Sequence, residues 1–230
     1  MEIILPDGSK KILEEGATVY DVAASIGTSL AKAALAGKIN GELVDVTAQV
    51  TDGATIEIIT NKSPEALSIM RHSCAHIMAE AVQELFPGAQ IAFGPATDNG
   101  YFYDFELPKN ISSDDFAAIE KKMAQIVKRN EPFVREVVSV EEAKEIFADQ
   151  RFKLEHIDDL TEGEISVYRH GSFVDLCAGP HIPSAGKIGA FKMMKLAGAY
   201  WRGDASREQL QRLYGTAFFK KADLDEYLHN

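Results

Sequence analysis

Short apolar runs, separated by turn residues, alternate with helical patterns along the first sixty residues of the chain. Three of the runs are predicted strands, at 2–5, 10–13 and 54–60. Thr18 is expected to cap a helix over 19–26, and a second helix is expected over 30–36. Asn40-Gly41 is typical of a hairpin turn. Short strands around one or two helices indicate a small α+β module, and the spacing fits a β-grasp fold.

A longer helical pattern follows Lys62. Ser63 is a predicted N-cap for a helix that runs to about Phe86, so a domain boundary is expected between residues 62 and 63. The apolar residues of this helix cluster on one side, and they are Leu67, Met70, Cys74, Ile77, Met78, Ala81 and Leu85. His72 and His76 fall on the opposite side, which argues against a role for either imidazole in core packing.

The rest of the chain contains both helical and strand-like patterns of apolar residues. Helices are predicted over 114–129 and 140–148, the second because Ser139 and Glu142 form a capping box. Strand-like segments lie at 94–106, 165–168 and 173–177. This second part therefore reads as an α+β domain with an antiparallel sheet.

The composition narrows the class of protein. Of 230 residues, 46% are hydrophobic and 26% are charged, as in globular proteins. No apolar run approaches the ~20 residues that cross a bilayer, the N-terminus lacks the pattern of a signal peptide, and two cysteines cannot form a disulfide scaffold. A cytoplasmic protein without membrane contact is expected. The net charge of −11 excludes a uniformly basic surface for nucleic acid.

A local basic stretch is nevertheless present. Residues 187–221 hold eight Lys and Arg and only two acidic residues. Such a stretch is either a solvated face, the commoner case, or a phosphate-binding site. Four aromatic residues could stack on a base or pack in a core, and they are Tyr101, Tyr103, Tyr200 and Trp201.

Two short motifs carry the candidate chemistry. His72 and His76 are four residues apart on one predicted helix, so both imidazoles project in one direction. Cys177 and His181 flank a Gly-Pro turn. Four such groups would suit a tetrahedral zinc site, or without metal could bind a water and transfer protons near neutral pH. A Cys177 nucleophile with His181 as its base is a further alternative. Cys74 lies on the apolar stripe and is expected to be a buried core thiol.

The chain resembles the N-terminal half of bacterial threonyl-tRNA synthetases. The similar stretches, in order, are LPDGS, NGELVD, RHSCAHIMAEAV, IAFGPATDNGYFYD, FVDLCAGPHIP, FKMMKLAGAYWRGD and LQRLYGTAF. The resemblance implies a TGS domain at 1–62, an editing domain at 63–225 and the start of a linker helix at 226–230. It also implies that the chain is an excised piece of a longer enzyme. The full-length enzyme is expected to be a homodimer, whereas the piece alone is compatible with a monomer. The aminoacylation core, with its ATP, magnesium and zinc, would lie outside this sequence.

The function implied is hydrolysis of seryl-tRNA(Thr), with threonyl-tRNA(Thr) spared. A threonine pocket cannot strongly exclude serine, because one methyl group is worth only about 1–3 kcal/mol. By resemblance, the core of the editing site consists of His72, His76, Cys177 and His181. His72 and Lys153 order and activate the water, with the vicinal hydroxyl of the tRNA as a further aid, and Cys177 and His181 hold a second water or the substrate.

The resemblance also assigns substrate contacts. Tyr103 faces the terminal adenosine or the seryl group, and Asp175 holds the seryl amino or hydroxyl group. His76 and His181 are counted among the substrate-binding residues as well. Ala178 departs from the family pattern, in which a basic residue is expected, so a phosphate contact from that position is not expected.

Alternatives stay open both for whether the site binds a metal and for what the chain does. The resemblance implies no metal for editing, although zinc at His72, His76, Cys177 and His181 stays open. The second hypothesis is a non-catalytic RNA-binding module in which a His/Cys zinc cluster is structural. A metal-dependent hydrolase of another small ester is the remote third.

Overall fold

The computed structural model describes residues 1–160 and 164–230. The chain divides into two compact units. The first comprises Met1–Ile69 and Gly179–Pro183, and the second comprises Met70–Ala178 and Ser184–Asn230. The predicted boundaries at 62/63 and 225/226 stay predictions. Within the described ranges, no helix is both long enough and apolar enough to span a membrane.

The first unit packs two helices against short antiparallel strands. Its elements are β1 (Glu2–Ile4), β2 (Lys10–Ile12), α1 (Val19–Ile26), α2 (Thr28–Ala33), β3 (Ala36–Ile39), β4 (Glu42–Val44) and β5 (Ile56–Ile59). The three later strands form a sheet in the order β4-β3-β5, and Ile4 bridges to Thr55 in parallel. Helix α1 has its predicted bounds, since Thr18 and Asp21 form a capping box.

Two local predictions in this unit meet different outcomes. Asn40 and Gly41 both have positive φ, at 51° and 83°, which is the backbone that a tight hairpin between β3 and β4 requires. The second helix, predicted over 30–36, is displaced to Thr28–Ala33, because Ala36 belongs to β3 and pairs with Ile59. Buried Val19 explains Gly37, where an added Cβ would lie 2.5 Å from the Val19 Cγ1.

The second unit holds two antiparallel sheets and the remaining helices. Its elements after α3 (Ala66–Leu85) are β6 (Gln90–Ile91), β7 (Tyr101–Glu106), α4 (Phe116–Arg129), β8 (Val134–Val138), α5 (Val140–Ile146), α6 (Arg151–Asp158), β9 (Ile165–His170), β10 (Phe173–Leu176), β11 (Ala190–Tyr200), β12 (Gln209–Phe218) and α7 (Lys221–His229). The sheet orders are β11-β12-β7-β6 and β10-β9-β8. The α+β class with antiparallel sheets is therefore confirmed.

Helix α3 differs from its predicted amphipathic form. It begins at Ala66, and the Ser63 hydroxyl accepts from the Thr60 backbone N–H instead of capping the helix. From Met70 to Val82 every residue except His72 is buried, including the side of the helix that the sequence pattern left polar. Buried Arg71 is accommodated because its guanidinium donates to the backbone oxygens of Ala217 and Asp98, both at 2.9 Å.

Candidate active site

The two histidines of α3 meet the thiol that follows β10. The rings of His72 and His76 lie edge to face with centroids 5.0 Å apart. The Cys177 Sγ lies 3.6 Å from His72 Nε2, and the ligand atoms of these three residues are all within 4.8 Å of one another. The backbone of Cys177 is fixed by Ser166, whose hydroxyl donates to the Cys177 oxygen at 2.6 Å. Motifs a hundred residues apart in sequence thus converge.

His181 lies in the Gly179–Pro183 segment of the first unit. It is buried, and its backbone N–H donates to the Asp45 carboxylate at 2.9 Å.

Asp175 joins three further predicted residues in one buried network. Its carboxylate accepts from the Lys153 ammonium at 2.6 Å, from the Tyr103 hydroxyl at 2.7 Å and from the Leu176 backbone N–H at 2.7 Å. His76 Nε2 lies 3.5 Å from the same carboxylate. Lys153, Asp175 and Tyr103 are 4%, 2% and 0% exposed, so the ammonium and carboxylate neutralise one another away from solvent.

Burial sets the protonation of the site. Desolvation lowers the pKa of His72, partly opposed by the Asp175 charge, and lowers the pKa of His76 well below its usual value. His72, Lys153 and His170 add to the effect on His76, because a positive neighbour disfavours a second cation. Burial likewise raises the pKa of Tyr103. Near pH 7 the two imidazoles are neutral and can accept a proton, while the phenol keeps its proton and donates.

The donor set also fits zinc. Zinc binds imidazole nitrogen at about 2.0 Å and thiolate sulfur at about 2.3 Å, so tetrahedral ligand atoms of this kind lie roughly 3.5 Å apart. The 3.6 Å between Cys177 Sγ and His72 Nε2 matches that spacing. The cluster is chemically able either to hold zinc or, without it, to position a water beside neutral bases.

One buried pair next to the site was missed by the sequence analysis. Glu80 lies one helical turn beyond His76 on α3, and its carboxylate is 3.0 Å from Nδ1 of buried His170 on β9. Phe133 stacks on the His170 ring with centroids 4.4 Å apart. The signal available in sequence was the i, i+4, i+8 spacing of His72, His76 and Glu80 along one line of the helix.

For Cys74, the aromatic residues and the basic stretch, the structure favours packing and internal ion pairs over contact with nucleic acid. Cys74 is the predicted core thiol, donating to the Tyr101 hydroxyl at 3.3 Å, and burial raises its pKa to about 12. Tyr101, Tyr103 and Trp201 are buried, and Tyr200 is half-exposed. Five cations of the basic stretch are neutralised, in the pairs Lys192–Glu120, Arg202–Asp159, Arg207–Glu155, Arg212–Asp104 and Lys221–Asp225.

Comparison with known proteins adds two domain matches. Residues 1–60 match the TGS domain, and residues 165–214 match the threonyl and alanyl tRNA synthetase second additional domain. The second match covers Asp175, Cys177 and His181.

Curated relatives match the chain from end to end. It is 50% identical over 231 residues to a threonine–tRNA ligase from Pelobacter propionicus, covering 100% of this chain and 36% of that protein. Threonine–tRNA ligases from Burkholderia multivorans and Polynucleobacter asymbioticus are each 52% identical, over 100% and 99% of the chain and 36% of their own length. The chain thus spans about a third of these relatives. It carries a TGS domain and a threonyl/alanyl-tRNA synthetase second additional domain, and over its whole length it corresponds to the N-terminal region of bacterial threonine–tRNA ligase.

Proposed function

We propose that this chain is the editing region of a threonine–tRNA ligase and that it hydrolyses seryl-tRNA(Thr). The observation that carries the proposal is the cluster of half-buried His72 and Cys177 with buried His76, beside the buried Lys153–Asp175 ion pair. A chain corresponding to part of a tRNA ligase would meet charged tRNA as its partner. The ligation of threonine to tRNA(Thr) with ATP belongs, in this proposal, to the full-length enzyme, as do the homodimer and the cytoplasmic location.

The chemical need for editing follows from the two amino acids. Serine and threonine share a hydroxyl and an amino group and differ by one methyl, which is worth only about 1–3 kcal/mol in a binding pocket. A second site that admits serine and rejects the larger threonine removes the errors. In this proposal the extra methyl group of threonine collides with the site or displaces the attacking water.

His72 is the proposed general base. Its pKa is lowered by burial, so the imidazole is neutral near pH 7 and its nitrogen can take a proton from a bound water. The water oxygen attacks the ester carbonyl carbon, the bond from that carbon to the ribose oxygen breaks, and the proton passes to the ribose oxygen as serine leaves. We assign Lys153 to ordering the water and to stabilising the negative charge on the carbonyl oxygen.

Asp175 is proposed to bind the serine ammonium. A carboxylate offers about four lone-pair positions, and Lys153, Tyr103 and the Leu176 backbone use three of them. His76 Nε2 lies 3.5 Å from the same carboxylate, and we place the serine ammonium beside it, at the fourth position. Tyr103, which donates to Asp175 and keeps its proton, fixes the orientation of the carboxylate, and we place it next to the seryl group or the terminal adenosine.

His76, Cys177 and His181 are assigned to the second water or the substrate. His181 is four residues from Cys177 in the same turn, and we infer that it completes the set with His72 and His76. Should zinc be bound, these four residues would hold it, and the metal would polarise the ester carbonyl or lower the pKa of a bound water. The metal-free form is the one we propose, since His72 and Lys153 supply a base and a cation without it.

Deacylation of charged tRNA tests the proposal. The chain should release serine from seryl-tRNA(Thr) and leave threonyl-tRNA(Thr) intact. His72→Ala and Cys177→Ala should abolish the release, whereas the matched controls His229→Ala, at an exposed position, and Cys74→Ala, in the core, should retain it.

The alternative predicts a different result. An RNA-binding module with a structural zinc would bind tRNA without releasing serine and would unfold on chelation. The editing proposal is contradicted if the chain, shown by circular dichroism to be folded before chelation, binds tRNA without releasing serine and then unfolds when the metal is removed.

A further inference from the structure

Helix α6, which carries Lys153, cannot hold its position by itself. It has only eight residues, and isolated helices shorter than about 12–15 residues are marginal in water. The Gln150 side chain makes no cap hydrogen bond to it and instead accepts from the Ile91 backbone N–H at 2.8 Å. The placement of Lys153 therefore depends on what the rest of α6 contacts.

The face of α6 away from Asp175 is bound by the turn that joins β11 to β12. Lys153 and Glu155 are two residues apart, which is about 200° around the helix axis, so they point to opposite sides. Arg207 in that turn holds the Glu155 carboxylate with two parallel hydrogen bonds, Nη1 to Oε1 at 2.6 Å and Nη2 to Oε2 at 2.8 Å. A bidentate pair of this kind fixes orientation as well as distance.

Other contacts from the same turn also hold α6 in place. Trp201 packs on buried Phe152 with ring centroids 4.9 Å apart, and the Arg202 guanidinium donates to the Glu155 backbone oxygen at 3.4 Å. The turn is ordered in its own right, because Asp204 accepts from the Ser206 N–H at 2.9 Å and from its hydroxyl at 2.7 Å. A rigid turn therefore presents Arg207 to the helix.

We propose that Arg207 is a positioning residue, which acts through Glu155 to hold helix α6 so that the Lys153 ammonium meets Asp175. This inference rests on the proposed deacylase function. It gives a use to one of the cations of the basic stretch that is distinct from binding phosphate. All three guanidinium nitrogens are engaged, the third with Glu208 at 3.0 Å, so the side chain is committed to carboxylates within the protein. In accord with this, the Arg207 hydrogen bonds lower the pKa of Glu155 to about 2.

A double-mutant cycle in the 230-residue chain tests the route through Glu155. Arg207→Gln and Glu155→Gln should each lower kcat for deacylation of seryl-tRNA(Thr) by about 10–100-fold, the effect of a small misplacement of a reacting group. KM for the tRNA should not change. The double variant should be no slower than either single one, because both substitutions remove the same contact.

Arg207→Lys, which keeps the charge but loses the bidentate geometry, should recover part of the rate. The control is Arg129→Gln, which removes an arginine from a partly exposed pair with Glu84 and should leave kcat unchanged. Losses that multiply in the double variant, a raised KM, or an unchanged kcat in Arg207→Gln would overturn the inference, and the first two would indicate a direct tRNA contact.

A second measurement needs no enzymatic activity. Acetylation by acetic anhydride, followed by mass spectrometry, should modify Lys153 several-fold faster in Arg207→Gln than in the wild type. Lys153 is 4% exposed and bonded to Asp175, and loosening of α6 releases it. If the wild type fails to release serine, the proposed function fails, and this rate alone still decides whether Arg207 positions Lys153. An unchanged rate contradicts the inference.

Discussion

The ion pair between Lys153 and Asp175 makes the stability of the second unit sensitive to a single uncharged substitution. Asp175→Asn keeps the shape of the side chain and removes only its charge. The Lys153 ammonium, 4% exposed, then has no neutralising partner within hydrogen-bond distance among the described residues. Removing one member of a buried pair typically costs about 3–5 kcal/mol, because the other charge stays buried and uncompensated. We expect a loss of that size in the free energy of unfolding.

The reverse substitution should cost less. In Lys153→Met the Asp175 carboxylate keeps two donors, the Tyr103 hydroxyl and the Leu176 backbone N–H, both at 2.7 Å. Hydrogen bonds to a charged group are worth about 1.5–3 kcal/mol each, so much of the burial cost stays compensated. The double variant Lys153→Met/Asp175→Asn buries no charge at this point and should regain most of the stability lost in Asp175→Asn.

Urea unfolding followed by tryptophan fluorescence measures these differences in the correct unit. The chain has one tryptophan, and this residue, Trp201, is buried in the second unit. The matched control is Asp225→Asn, which breaks the exposed Lys221–Asp225 pair and should change the unfolding free energy by less than about 0.5 kcal/mol. The reasoning is refuted if Asp175→Asn costs under about 1 kcal/mol, or if the double variant is as unstable as Asp175→Asn.

Three further outcomes are expected. The Arg207 hydrogen bonds lower the pKa of Glu155 from 4.5 to about 2, so the stabilisation is present above about pH 4.5 and is lost as the pH falls through about 2. Urea unfolding should therefore show Glu155→Gln less stable than the wild type at pH 7, and this difference in unfolding free energy should shrink towards pH 3. Gly215→Ala places a Cβ 2.5 Å from the buried Tyr101 ring and should lower stability by about 1–3 kcal/mol, whereas Gly27→Ala, with nothing within 4 Å, should stay within about 1 kcal/mol; equal effects would contradict the packing argument. Metal analysis of the purified, tag-free chain should find less than stoichiometric zinc, and one zinc per chain, lost on chelation together with the folded state, would instead favour the structural cluster.

The elements that the sequence predicts well are those with their own boundary signals. Helix α1 has its expected ends because the Thr18 and Asp21 side chains and backbones cap one another. Ser139 and Glu142 do the same for α5. These signals are local, so a single sequence contains them in full.

Helix α6 and the β11–β12 hairpin lack such signals. The residue before α6, Gln150, spends its side chain on Ile91 and Ala89 of a neighbouring segment rather than on the helix. Strand β11 is an edge strand with most of its residues exposed or half-buried, so no alternation of apolar and polar residues marks it. Both elements are stabilised by contacts with distant parts of the chain, and a pattern along the sequence does not record those contacts.

The same distinction separates the site residues. His72, His76 and Cys177 were found from residue type and spacing, because few histidines and cysteines occur in the chain and each carries recognisable chemistry. Lys153 and Asp175 came only from resemblance, since a lysine between Phe152 and Leu154 in a polar stretch is typical of a surface helix. What makes it unusual is the buried pairing of a lysine on α6 with an aspartate on β10, and that pairing is created by the packing of the two elements. It follows that the stability of the second unit and the proposed hydrolysis share one structural determinant, so substitutions that loosen α6 should impair catalysis before they unfold the chain.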